Sequence, residues 1–480
     1  MRRTAISIFG FLLLTGCTLG PDYRRPPVLV PDSHRGGATP ATAESLADLP
    51  WWELFQDPVL QELTRVALSN NYDLRTAVAR MEEARAQIGV VRSFLYPQIN
   101  VNAGGNAQQV SRVSDPPPVS TSRNFQNWVA GFGLAWEFDV FGRIRRETEA
   151  ATAVYYATEM DRRAVYIALV GDVAQSYFTL RELDLELEIS RRTLQINDDT
   201  IQFYSKRVSG GVSNQLEVDQ ATANRARTAA VIPDLERRIT IQENLLNFLL
   251  GRNPGAIPRG AVLIDQYQPP TVPAGLPAAL LERRPDVQSA EQLLVAANAN
   301  IGAAKAAFFP RITLTANLGT ASGDLSGLFK SGSFAFTGTA QLLQPIFDAG
   351  RNQASLDVAR VNYGIAVAQY ERSIQSSFRE VADALAGRAT LGEQVRAQAA
   401  QTNALAITYR LADLRYRAGA AGYLEALEAQ RSLFVSQLSL VQTQALQLQN
   451  MVVLYRALGG GWREASEVQA QSNPEIPPPR

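Results

Sequence analysis

Few residues in this 480-residue chain have the type and spacing for covalent or acid–base chemistry. Cys17 is the single cysteine and His34 the single histidine. One thiol permits no disulfide within the chain and no cysteine-based metal cluster. With no second histidine beside His34, a serine–histidine enzyme or a multi-histidine metal site has little to work with. The neighbouring carboxylates Asp198 and Asp199 lie inside a long helical pattern, where they read as a solvated face, and no phosphate-binding glycine loop occurs. Lys plus Arg number 46 and Asp plus Glu 46, so charge gives no reason to expect nucleic acid as a partner. These counts argue against an enzyme and against a bound metal.

What Cys17 can do is set by the residues before it. Arg2 and Arg3 give a positive start, Ala5 to Leu14 is a short apolar run, and Thr15-Gly16 supplies small residues for cleavage. This is the three-part layout of a secretory signal peptide, 1–16, too short to span a bilayer. Leu14-Thr15-Gly16-Cys17 resembles a bacterial lipobox, with Thr15 a minor departure. The resemblance implies cleavage before Cys17, a diacylglycerol thioether on its sulfur and an acyl chain on its new amine. Several chains are needed for firm anchoring, since each buried CH₂ contributes about 0.8 kcal/mol. The covalent lipid is the one non-protein group expected. Thr18 stands where an aspartate would, by analogy, favour the inner membrane, so the outer membrane is expected. No later apolar run approaches the length of a transmembrane helix.

The elements that carry the remaining residues come in duplicate. Pro97 matches Pro310, 213 positions later, and Asp73, Ala77 and Ile88-Gly89 match Asp286, Ala290 and Ile301-Gly302 at the same offset. Further on the offset becomes 208: Gly142-Arg143 matches Gly350-Arg351, Tyr155 matches Tyr363, and Leu250-Gly251 matches Leu458-Gly459. The chain is a tandem duplication of units of about 200 residues, assigned to 61–258 and 283–459. A lipidated N-terminal segment, 17–60, precedes them, a Pro-rich linker, 259–282, separates them, and a tail, 460–480, follows.

No proline occurs between Pro118 and Pro233 or between Pro345 and Pro474. Such stretches, rich in Ala, Leu, Gln, Arg and Glu, read as long helices over 143–206 and 351–416, with returning helices over 213–250 and 422–458. Glycine-containing turns separate them, at Gly210-Gly211 and at Gly419 to Gly422. A helix of that length extends on the order of 95 Å, which suggests a coiled coil or an extended helical wall. Shorter helices before Pro97 and Pro310 supply the length the returning helices lack, so two stacked helices can flank each long one.

After each proline the period changes from helical to two, giving hairpins over 98–139 and 311–342. In the first, Trp128, Ala130, Phe132, Leu134, Trp136 and Phe138 share one face, while Asn127, Gly131, Gly133 and Glu137 share the other. In the second, Phe334, Phe336, Ala340 and Leu342 oppose Ser333, Thr337, Thr339 and Gln341. The lengths and alternation suit strands of a membrane barrel, and also a sheet packed on helices. Four strands cannot close a barrel, and lipid tolerates no unpaired edge. In lipid the strands therefore demand an oligomer: two copies give eight strands, three give twelve, and the residues alone leave both open.

Gly20-Pro-Asp-Tyr-Arg-Arg-Pro-Pro27, Trp51-Trp-Glu-Leu-Phe-Gln-Asp-Pro58, Gln344-Pro-Ile-Phe-Asp-Ala-Gly-Arg351 and Tyr423-Leu-Glu-Ala-Leu-Glu-Ala-Gln-Arg431 closely resemble outer-membrane efflux lipoproteins. These are TolC-like outer-membrane factors of the OprM and NodT branch. The resemblance implies a mainly α fold with a membrane β part: a homotrimer with a twelve-stranded outer-membrane β-barrel, four strands per chain, on a twelve-helix periplasmic α-barrel. It implies a passive exit duct for drugs, toxic organics or metal ions. Its implied partners are a periplasmic adaptor, an inner-membrane transporter of the resistance–nodulation–division type, and outer-membrane lipid. An equatorial region drawn from the N-terminal segment, the linker and the tail is also implied.

By motif, a ring that narrows the periplasmic mouth falls on Leu424, Glu428 and Arg431, which share one helix face. Glu428 replaces the more usual aspartate. Without the resemblance, Glu428 and Arg431 are an exposed intrahelical ion pair. Tyr416 and Arg417 match positions that tie neighbouring helices shut, and the turns at Gly210, Gly211, Gly419 and Gly422 are the expected adaptor contact. Two rivals share part of the pattern. The exit duct of a type I protein secretion system has the same fold but generally lacks the lipobox. A periplasmic helical scaffold lipoprotein would explain the helices and anchor but not two aromatic alternating hairpins.

Overall fold

A computed structural model describes residues 18–37, 45–109, 111, 124–266 and 274–461. The signal segment with Cys17, residues 38–44, 110 and 112–123, part of the linker and the tail beyond 461 lie outside the described residues. The elements follow in the order α1 (Pro58–Asn70), α2 (Tyr72–Ser93), β1 (Gln98–Gln109), β2 (Asn124–Phe138), α3 (Arg143–Ser209), α4 (Gln215–Leu249), α5 (Pro285–Ala306), β3 (Arg311–Ser322), β4 (Phe334–Leu343), α6 (Arg351–Arg417) and α7 (Tyr423–Ala457). Each long helix, α3 and α6, has 67 residues, which corresponds to about 100 Å of rise. Pro233 falls inside α4 without ending it. The residue is exposed, so water can take the carbonyl that its missing N–H leaves unpaired.

The helix ends follow from local chemistry. Asp139 receives hydrogen bonds from the backbone amides of Ile144 (3.0 Å) and Arg145 (2.9 Å) at the start of α3. Asp348 does the same for α6 through Gly350 and Asn352, both at 3.0 Å. At the far ends the chain leaves α3 and α6 through left-handed residues, Gly211 (φ 74°) and Gly419 (φ 75°). There the amides of Val212 and Ala420 reach back to the carbonyls of Arg207 and Arg415 at 2.9 and 2.8 Å. Those bonds satisfy the last helical carbonyls. Gly210 ends α3 with ordinary φ, and Gly422 is the N-cap of α7.

The chain divides into two units. The first comprises residues 1–27, 80–158 and 289–371 and holds the sheet. Strand order is β1-β2-β3-β4, every neighbour antiparallel. Below the strands, Ala150 and Ala153 of α3 bury against Ala296 and Ala299 of α5; with only methyl groups between them, the two backbones approach closely. Ala354 and Ala368 of α6 are exposed in the single chain. The extended segment 18–27 runs along α5. Asn298 Nδ2 donates to the Pro21 carbonyl at 2.9 Å, and Arg25 forms a two-pronged pair with Glu291 at 2.6 and 2.7 Å.

The second unit comprises 28–79, 159–288 and 372–480. Within it α3 and α7 run antiparallel, bridged at seven-residue intervals by Asp172–Arg456 (3.4 Å), Thr179–Gln449 (2.9 Å) and Glu186–Gln442 (2.7 Å). This heptad ladder is the signature of coiled-coil pairing. On its other side α3 meets α4 through Arg191–Glu236 and Arg225–Asp198, at 2.7 and 2.6 Å. α7 meets α6 through Asn450 to the Ala384 carbonyl and Thr402–Ser436, at 2.9 and 2.7 Å.

The apolar core of this unit centres on Tyr177 and Phe178 of α3, with Trp51, Phe55, Leu246 and Tyr455. Asp57, the N-cap of α1, locks the linker onto it. Its carboxylate accepts from Tyr177 Oη (2.8 Å), the Ala261 amide (3.0 Å) and Gln266 Nε2 (2.9 Å). Burial pushes the Asp57 carboxyl up, but the hydrogen bonds from Gln266, Tyr177 and the amides of Val59 and Leu60 outweigh it and hold the group below its ordinary value.

The returning helices do stack on the short ones. Asn71, which caps α2, donates to the Leu249 carbonyl at the end of α4 at 3.0 Å. In the second repeat Arg284, which precedes α5, donates to the Ala457 carbonyl at the end of α7 at 3.2 Å. The two junctions occupy matching positions of the duplication, so each repeat joins its stacked helices by a side chain that closes an orphan carbonyl.

Candidate functional site

Register decides which strand residues share a face. Val101 stands opposite Phe132, Phe132 opposite Leu318, and Leu318 opposite Phe336. The same face therefore carries Ile99 on β1, Trp128, Leu134 and Trp136 on β2, Leu314 on β3 and Leu342 on β4. The opposite face carries Asn100, Asn102, Glu137, Thr315, Asn317, Thr337 and Gln341. One side is mainly aromatic and aliphatic and the other mainly polar, yet both are open: Val101, Phe132 and Phe336 on the first are 75%, 59% and 73% exposed in the single chain, and Asn102, Thr337 and Gln341 on the second are exposed. An apolar face of that extent, left to water, marks a membrane or protein contact. The outer strands β1 and β4 each keep one edge without a ladder partner among the described residues.

At the root of β2, Glu137 accepts from Arg143 Nε at 3.1 Å and from Arg143 Nη2 at 3.0 Å to each oxygen, while Nη1 donates to Glu147 at 2.8 Å. Trp136 Nε1 donates to the Leu95 carbonyl at 3.0 Å. Thr18 lies against Gly142, just before α3; a Cβ there would approach the Thr18 Cα to 2.9 Å. Cys17 itself is outside the described residues, but its neighbour in the chain is held where the strands give way to helix.

The helix turns carry the candidate mouth residues, and their partners are now assigned. Tyr416 Oη donates to Glu217 of α4 at 2.7 Å. Its ring packs against Tyr204 of α3 (5.2 Å) and Tyr423 of α7 (5.8 Å), and all three tyrosines are buried. Burial first, then the Glu217 hydrogen bond and charge, push the Tyr416 hydroxyl up to about 12; it is a hydrogen-bond donor throughout the physiological range. Arg207 and Arg417 sit over aromatic faces, Arg207 at 5.2 Å from the Tyr416 ring and Arg417 at 5.2 Å from the Phe203 ring. Arg417 also pairs with Asp413, four residues back on its own helix, at 2.7 Å.

Leu424, Glu428 and Arg431 share a face of α7 but not one environment. Leu424 is 62% exposed and the Glu428 side chain 67%. Arg431 instead turns to α4, where its Nε donates to Asn224 Oδ1 at 3.1 Å, and only 3.9 Å separates its Nη1 from Glu428. Sequence reasoning missed Tyr204, Glu217 and Asn224. The duplication held a signal for this end. Tyr416 matches Val208, Glu428 matches Gln220 and Arg431 matches Ala223 at the 208 offset, so the second turn carries groups the first lacks and must find partners outside its own hairpin.

The comparisons agree with this geometry. The outer membrane efflux protein family model matches residues 63–252 and 276–460, once in each repeat. The solvent efflux pump outer membrane protein SrpC of Pseudomonas putida is 41% identical over 470 residues, covering 96% of this chain and 99% of that one. The cation efflux system protein CusC of Escherichia coli is 40% identical over 454 residues, covering 94% and 97%. Among solved structures, the open state of the Neisseria gonorrhoeae MtrE outer membrane channel superimposes with a TM-score of 0.84 at 34% identity, over 93% of this chain and 99% of that one. With the family match, the coverage and the fold in agreement, the chain belongs to the outer membrane efflux proteins, TolC-like channels of the outer membrane.

Proposed function

We infer that this protein is the outer-membrane exit duct of a tripartite efflux system. The observation that carries the reading is the four-stranded sheet with one apolar face, one polar face and two open edges. Three copies, each giving four strands, close it into a twelve-stranded barrel with the apolar face toward lipid and the polar face toward a lumen. The relatives are named for solvent and cation efflux, which supports a small-molecule cargo supplied by an inner-membrane pump through a periplasmic adaptor. Cys17 carries the lipid; the placement of Thr18 at the strand–helix boundary supports an anchor in the periplasmic leaflet.

The turns of α3–α4 and α6–α7 form the periplasmic mouth and face the adaptor. Leu424 and Glu428 line the closed mouth, Arg431 backs them, and Tyr416–Glu217 together with the three-tyrosine cluster ties the two hairpins shut. Opening breaks the Tyr416–Glu217 bond. In planar bilayers the purified protein should give discrete conductance steps, and Tyr416→Phe should enlarge them by weakening the tie. Folded protein that inserts without any conductance would overturn the duct reading.

A further inference from the structure

Behind the mouth lies a buried polar chain. Asn197 of α3 and Asn224 and Thr228 of α4 are 2%, 5% and 3% exposed. Asn224 Nδ2 donates to Asn197 Oδ1 at 3.0 Å, and Asn197 Nδ2 donates to Thr228 Oγ1 at 3.0 Å. Thr228 returns its hydroxyl proton to the Asn224 carbonyl at 3.2 Å. The Asn224 amide therefore cannot rotate without breaking this network, and its Oδ1 is fixed toward α7, where it accepts from Arg431 Nε. A fully satisfied buried network of this kind specifies one arrangement.

Glu217 and Asn224 are seven residues apart, on one face of α4 with buried Ala221 between them. That face meets the second hairpin at two rungs, Tyr416 on Glu217 and Arg431 on Asn224. The first rung is at the turn; the second lies deeper and is backed by amides. Arg431 drawn to Asn224 by its Nε keeps only a long pairing with Glu428, 3.9 Å from Nη1, and the Glu428 side chain stays 67% exposed.

We propose that Asn224 is a positioning residue of the mouth: with Asn197 and Thr228 it holds Arg431 on α4, latching the two hairpins together and keeping the Arg431–Glu428 pairing long, so that the Glu428 carboxylate stays exposed toward the lumen. The inference rests on the mouth assignment above. It has an electrical consequence. Three copies of an exposed, only weakly paired Glu428 favour cations over anions in the closed channel. When Asn224 is replaced, Arg431 closes on Glu428, three residues before it on the same helix, and neutralises it more fully.

The test compares wild type with Asn224→Leu, and with Asn197→Leu/Asn224→Leu, which leaves no orphaned amide if the single change disturbs folding. Heat-modifiable trimer bands establish that each variant is assembled. Ion selectivity is read from the reversal potential under a salt gradient, and mouth width from spin labels at Ala420→Cys, an exposed turn position. Both variants should lose much of the cation preference and show longer label-to-label distances. Glu428→Gln should lose the preference without lengthening the distance. If the Asn224 variants keep both the wild-type selectivity and the wild-type distance while Glu428→Gln shifts selectivity, the latch is refuted and the mouth assignment survives. If Glu428→Gln leaves selectivity unchanged, the mouth assignment fails; the latch then stands only if the Asn224 variants still lengthen the distance.

Discussion

At Glu182, on α3, a single carboxyl should make the protein's stability depend on pH. Burial first, then the charge of Glu186, raise it from 4.5 to about 7, with Arg238 opposing. Its folded value lies above its unfolded one, so the stabilisation it allows is complete below about pH 4.5 and is lost as pH rises through about 7. Allowing for water at its exposed part, the loss is on the order of 2 kcal/mol per chain. Glu182→Gln should remove it, so melting curves of variant and wild type should converge at low pH and separate by pH 8, with the variant the more stable. Parallel curves across that range would show that Glu182 does not titrate there. Two residues of the proposed apparatus have simpler tests. Cys17→Ser should abolish incorporation of labelled fatty acid, and persistent labelling would remove the anchor. Charge-neutral replacement of Glu428 and Arg431 together should raise single-channel conductance, and an unchanged conductance would count against their place at the mouth. At this scale the sequence was least informative. Tyr416, Arg417 and Arg431 could be picked out by motif, but Glu217 and Asn224 are ordinary polar residues on a helix. Only the packing of α4 against the second hairpin makes them partners.

Elements were easier to read, because their signals are periodic. The change from helical to two-residue alternation after Pro97 and Pro310 fell where β1 and β3 begin, and the glycine turns fell at the ends of the 67-residue helices. Pairing between β2 and β3 was not legible, since a helical excursion of more than a hundred residues separates them and nothing local records which edges meet. The proposed orientation of the sheet has a direct test. Leu318→Arg puts a charge on the apolar face, at a cost of about 2–4 kcal/mol near the bilayer midplane. Thr337→Arg, on the other face, meets only water. Outer-membrane yield of assembled protein should fall sharply for the first and little for the second; equal yields would mean that the faces are assigned the wrong way or that the sheet is not in lipid.

The whole molecule is shaped by an incompleteness that no single chain can repair. Its apolar sheet face is open, β1 and β4 each have an edge without a partner among the described residues, and α6 leaves Val358, Val361, Ile365, Ile407 and Leu411 more than half exposed. Chain duplication was legible from residue matches alone, and the structure resolves how it is used: each repeat supplies a hairpin, a long helix and a stacked pair, and the repeats differ where the second turn gains Tyr416, Glu428 and Arg431. The copy number is a property of closure, and the residues by themselves left two or three copies open. The most direct test of a trimeric duct is native mass spectrometry of the detergent-purified protein. One assembly of three chains that survives without any other protein is expected; a stable, folded monomer with its strands formed would contradict the trimer.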